Sequence, residues 1–77
     1  MANVTIYTTH TCGWCMKAKE FFTANKIKYT EHYVDENQEK AEEMINKTNQ
    51  MGVPVIDVDG EIIIGFDRQR LVELLGL

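Results

Sequence analysis

The sequence predicts an α/β fold in which a four-stranded mixed sheet is flanked by three helices. Short β-branched and aromatic segments alternate with longer segments whose apolar residues recur at helical spacing. The Asp59-Gly60 pair separates two apolar segments and is typical of a two-residue hairpin turn. A chain of 77 residues can form one small core, so we expect a single domain over residues 1–77.

The first half of the chain predicts a strand, a helix and a second strand. Residues 3–8, NVTIYT, are β-branched and aromatic, as expected of a buried strand. A helical pattern follows from residue 13 to about residue 24, and the alternating residues 27–34 predict the next strand. The inward face of the helix is formed by Cys15, Ala18 and Phe22. A β-α-β unit of this kind implies that its two strands are parallel.

A second helix is predicted next. Asp35 and Asn37 can cap its N-terminus, and it is expected to run to about residue 50. Gly52 follows at a position where a helix end takes a left-handed residue.

The last third of the chain predicts a hairpin and a final helix. Residues 55–58 and 61–64 form the two hairpin strands, and Asp67 can cap the helix that follows. The inward residues of this helix are Leu71, Val72, Leu74 and Leu75. The predicted order is therefore β-α-β-α-β-β-α.

Composition and charge exclude several classes of function. The net charge of −4 argues against a nucleic-acid partner. No apolar segment approaches the ~20 residues that span a bilayer, so we expect no membrane association. The first residues lack the pattern of a secretory signal, and a small secreted domain usually carries several disulfides. With only two cysteines, the chain is expected to be cytoplasmic.

The two cysteines, Cys12 and Cys15, form a C-x-x-C motif directly after the first predicted strand. A structural disulfide across so short a loop would stabilise the fold little. Four-coordinate zinc needs two further ligands, and only His10 and His32 are candidate donors, without the spacing of a second pair. We therefore expect no metal. The placement after the first strand of a β-α-β unit favours a thioredoxin-like redox site.

Position along the predicted helix gives the two cysteines different roles. Cys12 at the helix N-terminus faces free backbone N–H groups, which favour its thiolate form, and Cys15 lies one turn deeper to resolve a mixed disulfide. Trp14 is expected at the rim of the site. His10 has two interpretations: a solvated loop side chain, or a protonated group that lowers the pKa of Cys12.

The single proline also has two interpretations. Pro54 is acceptable as a trans residue at a strand start, or a cis Val53-Pro54 bond turns the Val53 backbone towards the cysteines.

The segments YTTHTCGWC, QMGVPVI and GFDR, in this order and separation, resemble the small glutaredoxin-like proteins of bacteria and archaea. The resemblance extends over residues 4–75. It implies a thioredoxin fold, with Cys12 as nucleophile and Cys15 as resolving thiol.

The resemblance also implies a substrate groove. Pro54 would be cis, and Val53 would offer its backbone to glutathione or a peptide. The groove would be bordered by Gly65, Phe66 and Asp67, with Trp14 at its rim. Asp67 and the start of the last helix would receive a carboxylate or an amine.

The chain departs from the usual pattern of the family at several positions. Gly13 and Trp14 replace the Pro-Tyr pair between the cysteines, and Gly52 replaces a threonine. Ile64 and Arg68 stand at the first and last positions of the usual Gly-Gly-x-Asp-Asp segment. One hypothesis is that Arg68 or Arg70 supplies the positive charge that other members place elsewhere.

We predict a monomeric, glutaredoxin-like thiol–disulfide oxidoreductase that reduces protein or glutathione mixed disulfides in cell redox homeostasis and electron transport. It would hold no bound cofactor and would use glutathione as reductant. One alternative is a redoxin recharged by thioredoxin reductase. An alternative of another class is an iron–sulfur carrier, in which two subunits and glutathione hold a cluster next to the small Gly13.

Overall fold

The computed structural model describes residues 2–77. It confirms the predicted element order. The elements are β1 (Val4–Thr8), α1 (Gly13–Ala24), β2 (Thr30–Tyr33), α2 (Gln38–Thr48), β3 (Val55–Val58), β4 (Glu61–Ile64) and α3 (Arg68–Leu75). No helix among these residues has the length and apolar character needed to cross a membrane.

The four strands form one mixed sheet in the order β2-β1-β3-β4. β1 pairs in parallel with β2, and Ile6 lies opposite Glu31. β3 runs antiparallel to both of its neighbours, with Ile56 opposite Ile6 in β1 and Ile63 in β4. Because β1 has a hydrogen-bonded strand on each side, its carboxyl end is a fixed point from which the C-x-x-C motif follows.

Successive residues of β1 point to opposite faces of the sheet, which divides the core into two clusters. Ile6 packs with Phe22 of α1 and Leu71 of α3 on one face. Tyr7 packs with Met44 of α2 on the other. The apolar faces of the three helices are therefore all covered by the sheet.

A polar network crosses the face of the sheet that α2 covers. The Tyr7 hydroxyl donates a hydrogen bond to the Glu43 carboxylate and accepts one from Lys47 Nζ at 2.9 Å. Lys47 also pairs with Asp57 of β3 at 3.0 Å, and Lys40 pairs with Glu43 at 3.3 Å. Burial and the Glu43 hydrogen bond raise the pKa of Tyr7. The hydrogen bond from Tyr7 lowers the pKa of Glu43.

Two predicted boundaries were wrong. The second strand begins at Thr30 because the chain first closes the end of α1: the Ile27 N–H donates to the Phe22 carbonyl at 2.8 Å. The second helix ends at Thr48, since Asn49 adopts the left-handed conformation (φ 58°) and donates its N–H to the Ile45 carbonyl. Asn49, not Gly52, is the left-handed residue at this helix end.

One of the two residues predicted to cap the second helix is its N-cap in the structure. Asn37 caps α2, with its side chain accepting from the Lys40 N–H at 3.2 Å. Asp35 is hydrogen-bonded to His10 instead.

The hairpin prediction is confirmed: Asp59 (φ 52°) and Gly60 (φ 93°) both take the positive φ values of a type I′ turn.

Candidate active site

The start of α1 presents the two cysteines. Cys12 is the N-cap residue of α1, and its Sγ accepts a hydrogen bond from the Cys15 N–H at 3.1 Å. The two residues form a disulfide, with Cα atoms 5.2 Å apart. Cys12 is partly exposed, whereas Cys15 has an exposed fraction of 0%. The first turn of α1 carries no acidic residue, so the helix dipole favours negative charge on Cys12 when the pair is reduced.

A groove of about 220 Å³ is lined by Trp14, Val53, Pro54, Gly65 and Phe66. Trp14 is 62% exposed and contributes one wall. The Val53-Pro54 peptide bond is cis, and the two residues directly precede β3. Gly65 and Phe66 lie between β4 and α3. Five residues from three separate segments of the chain are therefore brought together.

The backbone groups of Pro54 and Val53 at the groove differ in their hydrogen bonding. The Pro54 carbonyl accepts a hydrogen bond from the Gly65 N–H at 2.8 Å, which joins the two segments. Within residues 2–77, no group hydrogen-bonds to the backbone of Val53. The Val53 N–H and C=O are therefore available to a ligand.

The loop that leads to Cys12 is held by His10. The His10 backbone N–H donates to Asp35 at 3.0 Å, and the His10 Nδ1 lies 2.9 Å from the same carboxylate. The imidazole also stacks on Tyr33, with ring centroids 4.1 Å apart and planes 14° apart. The His10 backbone N–H, followed by the imidazole, lowers the pKa of Asp35. The His10 side chain is 52% exposed and is also held by Asp35 and Tyr33, so both interpretations of its role stay predictions.

Comparisons with known proteins agree with this geometry. Residues 4–63 match the model of the glutaredoxin family. A glutaredoxin-like 8.6 kDa protein of Clostridium pasteurianum is 39% identical over 72 residues, which cover 94% of this chain and 96% of the relative. Glutaredoxin 3 of Escherichia coli is 40% identical over 76 residues, which cover 99% of this chain and 92% of the relative. The chain belongs to the glutaredoxin family.

Membership of this family makes the protein a thiol–disulfide oxidoreductase, as predicted from the C-x-x-C motif and its setting. The crystal structure of a glutaredoxin from Archaeoglobus fulgidus superposes with a TM-score of 0.86 at 22% identity. The alignment covers 97% of this chain and 87% of that one. This similarity confirms the thioredoxin fold.

The predicted site residues of this glutaredoxin are not all at the groove. Asp67 does not belong to the residues that line it. Instead Asp67 is the N-cap of α3, and its Oδ1 accepts a hydrogen bond from the Arg70 N–H at 3.1 Å. A contact between Asp67 and a substrate stays a prediction.

The hydrogen bond between His10 and Asp35 was missed by sequence reasoning. Asp35 has the residue type and the position of a helix cap, which is the only local signal that the sequence gives. The two residues are 25 positions apart, and only the parallel pairing of β1 and β2 brings them together.

Proposed function

We propose that this glutaredoxin reduces disulfides by dithiol exchange, with Cys12 as the nucleophile and Cys15 as the resolving thiol. The observation that carries the proposal is the difference between the two sulfurs. Cys12 is partly exposed at the helix N-terminus, and Cys15 is fully buried one turn further on. An external disulfide can reach the first sulfur and not the second.

In the first step, the Cys12 thiolate attacks one sulfur of a substrate disulfide. A bond forms between this sulfur and Cys12, the substrate S–S bond breaks, and one substrate thiolate leaves. Cys15 then loses its proton and attacks the Cys12 sulfur, which releases the second thiolate and forms the Cys12–Cys15 disulfide. Two electrons pass from the enzyme dithiol to the substrate, and the two released thiolates take up two protons.

The groove gives this reaction a place for substrate, and one of its walls is Trp14, two residues after Cys12. Its lining is apolar on both sides, and the free backbone of Val53 can pair with an extended peptide segment. We infer that glutathione and proteins that carry disulfides bind here, with the walls formed by Trp14, Pro54, Gly65 and Phe66.

Glutathione is also the proposed reductant. Dithiol exchange requires no bound cofactor, and none is proposed. Two glutathione molecules return the Cys12–Cys15 disulfide to the dithiol and leave as oxidised glutathione, so atoms and electrons balance. The proposed location is the cytoplasm, where the glutathione pool keeps thiols reduced. The proposed working form is a monomer, because each chain contains both cysteines and the groove.

NADPH-coupled reduction of a small disulfide tests the reductant. One series contains glutathione with glutathione reductase, and a parallel series contains thioredoxin reductase alone. We expect turnover in the first series. Turnover only in the second series would show that the enzyme is a redoxin recharged by thioredoxin reductase, and that the glutathione part of the proposal is wrong.

A matched pair of variants tests the roles of the cysteines, because both receive the same chemical change. Cys12→Ser is expected to abolish activity with every disulfide. Cys15→Ser is expected to keep monothiol exchange with glutathione mixed disulfides and to lose dithiol reduction of protein disulfides. Full activity of Cys12→Ser, or equal loss in both variants with a glutathione mixed disulfide, would contradict the assignment.

A further inference from the structure

A glutamine side chain holds the backbone just before the groove. Gln50 Oε1 accepts a hydrogen bond from the Gly52 N–H at 2.6 Å, and Gln50 Nε2 donates one to the Gly52 carbonyl at 3.1 Å. One side-chain amide therefore makes both of the backbone hydrogen bonds that a neighbouring antiparallel strand would make with Gly52. These two bonds form the Gln50 clamp.

The clamp is attached to the last turn of α2. Thr48 is the final residue of this helix, and its hydroxyl donates a hydrogen bond to the Met44 carbonyl at 2.7 Å. The same oxygen accepts from the Gln50 N–H and from Gln50 Nε2, each at 3.4 Å. Met44 is 2% exposed and packs against Tyr7 of the sheet. The position of the Gln50 amide is therefore set by a helix that packs on the core.

The clamp also sets the direction of the Val53 N–H, because the Gly52 carbonyl and this N–H belong to one planar peptide unit. Within residues 2–77 the only cis bond joins Val53 to Pro54, so the bond from Gly52 to Val53 is trans. In a trans unit the two groups point in opposite directions. The Val53 N–H therefore points away from Gln50. It has no hydrogen-bond partner in the described part of the chain, and Val53 lines the groove.

The clamp accounts for the glycine at position 52. A Cβ at Gly52 would lie 2.7 Å from Gln50 Oε1, closer than van der Waals contact allows. The backbone of Gly52 does not have the positive φ of Gly60, Gly65 and Gly76, so its conformation alone does not require glycine. A side chain at position 52 would instead displace the Gln50 amide.

We propose that Gln50 is a positioning residue for substrate: by holding the Gly52 carbonyl, it directs the Val53 N–H to a backbone carbonyl of an extended peptide in the groove. The enzyme then favours disulfides whose sulfur-bearing residue is flanked by peptide groups over disulfides that have no peptide group. This proposal rests on the proposed function, because it concerns the substrate of the same Cys12 reaction. Gln50 acts through the backbone and does not itself contact the substrate.

Single-turnover reduction of two neutral disulfides tests the proposal without any recharging enzyme. One is the disulfide of N-acetylcysteine N-methylamide, which has a peptide group on each side of the sulfur-bearing residue. The other is bis(2-hydroxyethyl) disulfide, which has none. The reduced protein is mixed with an excess of either, and the released thiol is quantified by chromatography at successive times. The peptide selectivity is the ratio of the two second-order rate constants, divided by the same ratio for dithiothreitol so that the intrinsic reactivities cancel.

Three variants are expected to share one result. Gln50→Ala is expected to lower the peptide selectivity about fivefold, the contribution of one net hydrogen bond. Gly52→Ala is expected to lower it by the same factor, because the added Cβ displaces the Gln50 amide. The double variant is expected to lose about fivefold as well, since both changes remove the same clamp; two independent effects would multiply to about 25-fold. A purely structural defect would slow both disulfides together and leave the ratio unchanged.

Gln38→Ala is the matched control, because it makes the same chemical change at an exposed residue that begins α2, at the opposite end of the helix from Thr48. It is expected to keep the wild-type selectivity. The proposal would be overturned by an unchanged ratio in either single variant, by an equal fall in Gln38→Ala, or by multiplied losses in the double variant.

The outcomes separate this proposal from the proposed function. If the wild-type protein shows no peptide selectivity and Cys12→Ser does not react, then the dithiol chemistry stands and the role of Gln50 is wrong. If the wild-type protein reacts with neither disulfide, or Cys12→Ser reacts as fast as wild type, both proposals are wrong.

Discussion

Removal of the Tyr7 hydroxyl tests the polar network behind the sheet. Tyr7 is 1% exposed, and Tyr7→Phe keeps the ring in place while it removes the hydrogen bonds to Glu43 and Lys47. A hydrogen bond to a charged group contributes about 1.5–3 kcal/mol. The lower end of this range applies here, because Glu43 keeps its ion pair with Lys40 and Lys47 keeps its ion pair with Asp57. Both charged groups also reach water. The expected loss is about 1.5 kcal/mol, or a fall of about 6–12 °C in Tm.

Urea unfolding of the oxidised protein measures this loss. Tyr29→Phe is the matched control, because Tyr29 packs on Phe22 with ring centroids 5.2 Å apart and its hydroxyl has no hydrogen-bond partner within residues 2–77. The control is expected to change the free energy of unfolding by less than about 0.5 kcal/mol. Equal stability of Tyr7→Phe and Tyr29→Phe would refute the reasoning.

The difference in the free energy of unfolding between wild type and Tyr7→Phe is expected to depend on pH. The Tyr7 hydrogen bond lowers the pKa of Glu43 below its ordinary value of 4.5. A carboxyl group with a lowered folded-state pKa stabilises the fold above its unfolded pKa, and this stability is lost as the pH falls through the folded pKa. The stability difference between wild type and Tyr7→Phe is therefore expected to narrow below about pH 4.5. A constant difference down to pH 3 would contradict this.

Three further substitutions have defined outcomes. Gly13→Pro is expected to raise the free energy of unfolding of the reduced protein by about 0.4–1 kcal/mol, measured with urea. A Cβ at Gly13 meets no atom within 4 Å, and Cys12 has the extended backbone (φ −100°, ψ 109°) that a residue before proline requires. A loss of stability would contradict this. In an NMR titration, Asp35 is expected to titrate below its ordinary pKa of 3.8 in wild type and somewhat closer to it in His10→Ala, which loses the imidazole but keeps the backbone N–H donor. The stability that Asp35 provides is lost as the pH falls through its folded pKa. Equal midpoints would show that the imidazole has no effect. Asn49→Ala is expected to destabilise by about 1 kcal/mol and Asn49→Gly to be tolerated, since φ is 58° at this helix end; equal stabilities would contradict the argument.

Local signals predicted the elements that local chemistry determines. The Asp59-Gly60 turn fixed the hairpin at the predicted residues, because two successive positive φ values suit this pair. Cys12 was predicted at the start of a helix, which is where the structure places it. Both features depend on a few neighbouring residues, so the sequence alone was sufficient.

Contacts between distant segments could not be predicted in the same way. Asp35 and Asn37 are both suitable helix caps, and the choice between them depends on His10, which lies 25 positions before Asp35. Arg68 and Arg70 are equivalent in the sequence, and only the approach of Glu61 in β4 distinguishes them. Each of these contacts depends on strand pairing that brings separate segments side by side.

The complete burial of Cys15 has a consequence for how long a partner stays attached. Molecules in solution cannot reach this sulfur, so Cys15 acts only on a molecule that is already joined to the neighbouring Cys12 of the same chain. Its effective concentration does not change with the composition of the surroundings. Replacement of Cys15 by serine removes this internal release, so without glutathione the variant is expected to stay covalently joined to the proteins with which Cys12 reacts.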